Sequence, residues 1–191
     1  MPLLLETIKI EDGIVHNLSY HQARCDKSRK ELFGSTNQLN LSSMIEAPTT
    51  GLYRCRILYD KIIHSIDYIP YIPKKIHTLK IINSNIRYDY KYADREALNH
   101  LLQIQDGIDE IIIEKEGYLT DTTIANIAFY DGTQWFTPKD PLLQGTMRAK
   151  LLDEGYLHKK KIKREDLKAY RRVALINSMI GFKILNDFSI E

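Results

Sequence analysis

Apolar and polar positions alternate with a period of two over several stretches, and each such stretch predicts a strand. Leu3 to Ile10 (LLLETIKI) is one, stopped by the Asp12-Gly13 turn, with Ile14 and Val15 beginning the return. Leu52 to Tyr59 (LYRCRILY), Ile62 to Tyr68 and Leu79 to Asn83 read the same way. Ile111, Ile112 and Ile113 form a β-branched apolar run, long enough for a buried strand and too short for a helix. After the Glu116-Gly117 turn, Ile127 to Tyr130 is a second strand of this region, closed by the Asp131-Gly132 hairpin signal. Trp135, Phe136 and Thr137 return, and Pro138 ends the hairpin. Helices are predicted from Tyr20 to Phe33, with Asn17 or Ser19 as cap and Gly34 as stop, and from Asn40 to Ala47. Three more are predicted over Arg95 to Gln103, Thr146 to Glu154 and Asp166 to Tyr170.

A chain of 191 residues accommodates one large or two small domains and buries a core without covalent staples. Pro70-Tyr71-Ile72-Pro73, followed by Lys74-Lys75, is the best linker, because two prolines favour an extended crossing. The expected division is a small N-terminal α/β domain over 1–73 and a larger C-terminal domain over 74–191. Cys25 and Cys55 form neither a disulfide framework nor a zinc spacing, so no metal is expected and a reducing, cytoplasmic setting is the default. A net charge of +2 argues against a nucleic-acid partner. The basic run His158 to Arg164 (HKKKIKR) reads as solvated surface, since no aromatic interleaves it and Glu165-Asp166 follow. No apolar run of membrane-spanning length exists, and the start lacks a basic segment and meets Glu6 too early for a signal peptide.

Candidate chemistry sits at five places. Thr120-Asp121-Thr122-Thr123-Ile124-Ala125-Asn126 is a carboxylate followed by small polar residues whose N–H groups suit an anion, or an ordinary Asx-turn. Arg24 lies in the first helix, where an arginine is usually solvated. Arg54 and Arg56 share one face of a strand, which is unusual unless they are paired or face a ligand. Lys91 stands among tyrosines at a loop-to-helix junction, with Asp94 as a possible helix cap. Gly145 precedes a helix start, where free N–H groups and the helix dipole favour an anion.

These pieces, in this order, resemble the class IV aminotransferase family, the fold-type IV pyridoxal-phosphate enzymes. LETIKIEDGIVHNLSYHQAR resembles that family's strand, Asp-Gly turn and His-x-x-Arg helix. Tyr88 to Arg95 resembles its Lys-x-x-Asn/Asp motif, the central hairpin its strand-turn-strand, and Leu142 to Arg148 its Leu-x-Gly-x-Thr/Met-Arg segment. Arg172 to Met179 resembles its late buried strand. The resemblance implies that Lys91 bonds covalently to pyridoxal 5'-phosphate and that Asp121 meets the pyridine nitrogen. It implies that Arg24, the Thr123-Ile124 turn and the helix start at Thr146 and Met147 hold the phosphate. It implies a substrate carboxylate at Arg54 or Arg56, with Arg54 in the better register. The implied fold is two α/β domains with the cofactor between them, the C-terminal one a mixed, barrel-like sheet. The implied assembly is a homodimer acting on a small-molecule amine that carries a carboxylate.

Two features depart from the family. The chain begins at the first Glu-Thr strand, without the hairpin that normally precedes it, and Asp121 stands where the family usually has Glu. Gly145-Thr146-Met147-Arg148 looks most like the 4-amino-4-deoxychorismate lyases, which release pyruvate and leave p-aminobenzoate, a folate precursor. The alternatives are a branched-chain or D-amino-acid aminotransferase and a catalytically inactive binding module of the same fold.

Overall fold

Alternation along the N-terminal strands does build a sheet, in the order β2-β1-β3-β4. The computed structural model describes residues 1–191. β1 (Leu4–Glu11) pairs antiparallel with β2 (Ile14–Val15) and with β3 (Leu52–Tyr59), and β3 pairs with β4 (Ile63–Pro70). Asp12 and Gly13 both take positive φ, 48° and 81°, which matches a two-residue hairpin to strand twist. One face of this sheet buries Leu4, Ile8, Ile10, Cys55, Ile57 and Tyr59 with Cys25 and Leu41. Cys25 comes from α1 (Leu18–Phe33) and Leu41 from α2 (Leu41–Met44).

The first helix differs from its expected start. Asn17 sits in the left-handed region at φ 58° and caps nothing with its side chain, and Ser19 lies inside the helix. Gly34, at φ 63°, ends it as expected, its N–H reaching the carbonyl of Lys30. The helix turns a polar stripe inward: His21, Cys25, Ser28 and Arg29 are its buried residues. The second helix is a single turn rather than Asn40 to Ala47, and Asn40 Oδ1 caps it through the N–H groups of Ser42 and Ser43.

The chain forms two compact units, Met1–Pro73 with Tyr90–Asp94, and Lys74–Asp89 with Arg95–Glu191. The segment that carries Lys91, expected in the second domain, therefore belongs to the first unit. Tyr92 bridges Leu4 in an antiparallel pair, the N–H of Leu5 donates to the carbonyl of Lys91 at 2.8 Å, and that of Ala93 to Leu3 at 2.9 Å.

In the second unit the strands are β5 (Thr78–Asn83), β6 (Glu110–Lys115), β7 (Tyr118–Thr122), β8 (Asn126–Tyr130), β9 (Trp135–Pro138), β10 (Leu157–Lys160), β11 (Arg172–Asn177), β12 (Gly181–Ile184) and β13 (Ser189–Ile190). The helices are α3 (Glu96–Gln103), α4 (Thr146–Asp153) and a 3-10 turn at Arg164–Ala169 in place of a helix to Tyr170. The main path is β10-β9-β8-β7-β6-β5-β13. β11 pairs with β8 along its length, while β7 meets the start of β8 and β9 its end. The sheet thus branches at β8 and stays open, because β10 and β13 pair only with β9 and β5. This corrects the barrel-like expectation: closure needs the outermost strands to pair with each other.

The central region holds four strands where the sequence suggested three. Asp121 lies within β7, not in a turn, and the turn is Thr122 to Ala125, closed by Thr122 N–H to the Ala125 carbonyl at 2.9 Å. The core here joins Leu79, Ile112, Ile127, Phe129, Val173 and Leu175, and a second cluster joins Ala128, Trp135, Leu151, Leu157 and Ile176. Each fully buried aliphatic or aromatic side chain contributes about 1.5–3 kcal/mol relative to exposure.

Candidate active site

In the first unit, Glu6 is a charged residue in the middle of β1 and is fully buried. It survives there because its oxygens are satisfied. Arg24 donates through Nε to Oε1 at 2.9 Å and through Nη2 to Oε2 at 2.6 Å, and His21 Nδ1 lies 2.6 Å from Oε2. Burial opposes charge on Glu6, but Arg24 and His21 outweigh it and hold the carboxyl down at about 2. Burial pushes the imidazole of His21 toward neutrality. Glu6 opposes this, while Arg24 and the nearby charge of Lys91 add to it. Arg24, expected as a phosphate ligand, thus has one edge of its guanidinium held by Glu6.

Leu4 and Tyr92 are directly opposite each other and pack on the core side. On the other face of the sheet Thr7 opposes Arg56 and Lys9 opposes Arg54. The charges there are mostly matched: Lys9 pairs with Glu11 at 2.6 Å, His16 Nε2 lies 3.8 Å from Glu11, and Arg56 sits 3.7 Å from Asp67. Arg54 makes no hydrogen bond or ion pair, and its buried Nε has no partner. Of the two candidate arginines, Arg54 is the one available to an anion. Arg56 is in the salt-bridged state that an exposed sheet face provides.

In the second unit, Asp121 is buried with both carboxylate oxygens occupied. Asn126 Nδ2 donates to Oδ1 at 2.8 Å, and the N–H of Leu143 donates to Oδ2 at 2.9 Å. Burial pushes the carboxyl up, and Asn126, Leu143 and Arg148 pull it back, leaving it at about 6. Arg148 is buried on α4, donating to Thr137 Oγ1, Gln144 Oε1 and the carbonyl of Pro138. Thr146 is buried at the start of α4, whose N-cap, Gly145, has no side chain to cap it.

The Thr123-Ile124 turn is held from several sides. Thr123 donates its N–H and hydroxyl to the buried carboxylate of Glu110, and its carbonyl accepts from Arg95 Nη2 at 2.6 Å. Ile124 N–H reaches Thr122 Oγ1 at 3.3 Å, and its carbonyl accepts from Asn177 Nδ2. The donors expected to face an anion are therefore engaged within the turn. Asp94 is not the cap of α3: Arg95 precedes that helix and caps nothing with its side chain.

Gly145 is required by a close approach. A Cβ there would lie 2.0 Å from Asn126 Oδ1, and Asn126 Nδ2 bonds both Asp121 and the Leu143 carbonyl. Gly145→Ala is expected to displace that amide and destabilise the fold by about 1–3 kcal/mol, measured by thermal denaturation. It also removes a bond that lowers the pKa of Asp121, so the pH at which the ligand-free protein takes up that proton shifts upward.

Sequence reasoning passed over Glu6, His21, Glu110 and Asn126. The available signal was a carboxylate inside an otherwise apolar strand, at Glu6 in LLLETIKI and at Glu110 before the isoleucine run. The lysine run also looks different in three dimensions. Lys160 lies over Phe136 and Tyr170, and Lys161 and Lys163 over Tyr118, rings supplied from elsewhere in the chain. β10, exposed apart from Leu157, is an edge strand bearing lysines, a feature that discourages pairing with another chain.

With this geometry in place, comparison with known proteins is specific. The model for the amino-transferase class IV family matches residues 70–184. An uncharacterized protein of Haemophilus influenzae is 39% identical over 184 residues, covering 93% of this chain and 98% of its own length. The crystal structure of a "putative 4-amino-4-deoxychorismate lyase" from Haemophilus somnus is similar at 37% identity and a TM-score of 0.84, over 95% of this chain and 98% of that one. A hypothetical aminotransferase from Mycobacterium tuberculosis, in its PLP-bound form, shares the fold at 16% identity and a TM-score of 0.80, over 100% of this chain and 81% of that one. No helix is long and apolar enough to cross a membrane.

Proposed function

The chain belongs to the amino-transferase class IV family, whose cofactor is pyridoxal 5'-phosphate, and from that premise we propose that it is a lyase of the 4-amino-4-deoxychorismate type. Such an enzyme releases pyruvate from its substrate and leaves p-aminobenzoate. The observation that carries this reading is the likeness to the Haemophilus somnus protein over nearly the full length of both chains.

The residues present suit the cofactor. A buried carboxylate that is ionised at neutral pH, a lysine amine, an arginine whose Nε has no partner, and a helix start at a glycine are the kinds of donor and acceptor that a phosphorylated pyridine requires. When bound, the cofactor supplies the carbonyl carbon that Lys91 attacks and a ring that accepts electron density from the substrate. Lys91 Nζ would hold it covalently until the substrate amine takes that place, and the freed amine would then accept the proton from the carbon that bears the substrate amine. Asp121 keeps a proton on the pyridine nitrogen. In this proposal the phosphate donors are the start of α4, at Thr146 and Met147, and Arg24, whose guanidinium plane is set by Glu6. Arg54 takes the substrate carboxylate, since Arg56 is already paired with Asp67. The substrate is a small-molecule amine bearing a carboxylate, and the family resemblance implies a cytoplasmic homodimer.

The deciding assay supplies aminodeoxychorismate without any 2-oxo acid. Pyruvate release supports the lyase. Pyruvate formed only when an amino acid and an acceptor are both present identifies an aminotransferase and overturns it.

In the ligand-free protein, with its carboxyl at about 6, Asp121 is roughly nine-tenths ionised at pH 7 and roughly one-tenth at pH 5. Affinity for the cofactor, which uses the ionised carboxylate, should therefore fall as pH drops from 7 to 5, and an affinity that stays flat over that range contradicts the role given to Asp121.

A further inference from the structure

The strands that end a sheet differ in length. β2 and β13 have 2 residues each, β10 and β12 have 4 each, and β4 has 8. β10 carries lysines and β12 carries Lys183, the residue type that keeps an edge from pairing with another chain. β4 (IHSIDYIP) carries none. Its interruptions lie at its ends, a register shift beside Ile63 and Pro70 as the last residue.

The ladder shows which groups this edge presents. Tyr71 N–H donates to the carbonyl of Leu52 at 3.0 Å, continuing the β3–β4 register in which Tyr53 opposes Pro70. Opposed residues of an antiparallel pair alternate between bonded and non-bonded. The backbones of Ser65, Asp67 and Ile69 therefore bond inward, to Leu58, Arg56 and Arg54. Pro70, which has no N–H, falls in the non-bonded phase, as does Ile66 and as does Tyr68. The N–H and C=O groups of Ile66 and Tyr68 point away from β3, and no group of the chain meets them.

We propose that β4 pairs antiparallel with β4 of a second copy about a two-fold axis at Ile66, which joins the two four-stranded sheets into one. The inference rests on the homodimer expected above and not on the reaction. In this register the two Ile66 residues exchange N–H···O bonds, and Tyr68 does so with His64 of the partner subunit, which uses the outward groups. On the open face Ile63 lies opposite Ile69 of the partner subunit. Ser65, whose hydroxyl donates to its own Asp67 at 3.1 Å, lies opposite Asp67 of the partner subunit, and each Asp67 keeps Arg56 at 3.7 Å as counter-charge. Moving the axis to Asp67 would set two carboxylates directly opposite each other, which destabilises a strand pair.

Sedimentation velocity on the purified protein is expected to show a dimer. Ile66→Pro removes the outward N–H on the axis and no inward one, and should weaken the dimer at least about tenfold, roughly 1.4 kcal/mol. Ile66→Ala loses the side chain but keeps the N–H, and should stay dimeric; thermal melts of both verify the fold. Ile66→Cys puts two sulfurs on the axis, where bonded residues stand about 5.5 Å apart at Cα, inside disulfide range. Mild oxidation should then give a covalent dimer on a non-reducing gel. His64→Cys should give none, because its two copies lie about four residues apart along the strands, roughly 14 Å. Cys25 and Cys55 are fully buried and do not compete. A monomeric wild type overturns the pairing together with the homodimer. A dimer as tight in Ile66→Pro as in Ile66→Ala, or equal cross-linking from positions 64 and 66, overturns the pairing alone.

Discussion

Lys91→Ala is expected to abolish the visible absorption of bound cofactor and to lower turnover by at least about 10²–10⁴-fold, the contribution of one positioned proton-transfer group. The loss should be nearly pure in function. The backbone at this position is fixed by β1, through Leu5 N–H to the Lys91 carbonyl and Ala93 N–H to the Leu3 carbonyl, and these bonds do not involve the side chain. The melting temperature should therefore move little. Lys91→Arg should not rescue, because a guanidinium stays protonated and cannot serve as nucleophile or base. A lysine amine is suited to the task here. An amine can lose its proton and form a covalent bond to a carbonyl carbon, which the role requires. Absorbance, turnover and a thermal melt on the same preparations test the three parts.

Glu6→Gln should have the largest effect on stability. The variant keeps the shape but leaves Arg24 without its counter-charge in a buried place, and breaking a buried pair from one side costs about 3–5 kcal/mol. The pKa gives a similar size. A fall from 4.5 to about 2 is about 2.5 units, and at 1.36 kcal/mol each that is about 3 kcal/mol. Because the folded-state value is depressed, this contribution is present above about pH 4.5 and is lost as pH falls toward 2. Wild type and Glu6→Gln should differ in melting temperature by about 6–12 °C at pH 7, and the gap should close toward pH 2. Asp121 acts with the opposite sign. Its folded-state value is raised from 3.8 to about 6, so the native state favours the proton and stability from this group is lost as pH rises through that window. Asp121 thus costs about 3 kcal/mol at neutral pH in the absence of a ligand, as expected of a carboxylate kept for binding rather than for folding.

Local patterning made the first-unit sheet readable. β1 and β3 alternate over most of their length because one face is packed and the other is not. Ile111 to Ile113, buried on both sides, were equally plain. What escaped depends on partners far away in sequence. The segment with Lys91 joins the first unit through the bridge of Tyr92 to Leu4, and nothing near position 91 announces a partner so distant. β10 pairs in parallel with β9 across the intervening α4, and its outward lysines hide the one buried residue, Leu157. The first helix buries a polar stripe, so hydropathy could not say which side faces in. At the candidate site, residue types and order were legible for Lys91, Asp121 and Gly145. Their supports were not: Glu6 and Glu110 are hydrogen-bonding acceptors inside the fold, and such satisfaction is visible only in three dimensions.

The central claim is that one amine carries the cofactor. It is tested most directly by incubating the protein with pyridoxal 5'-phosphate, reducing with borohydride, digesting, and locating the added mass by peptide sequencing. The account predicts the adduct on Lys91, and none on that peptide in Lys91→Ala. An adduct confined to another lysine, or label spread evenly over the surface lysines, contradicts it.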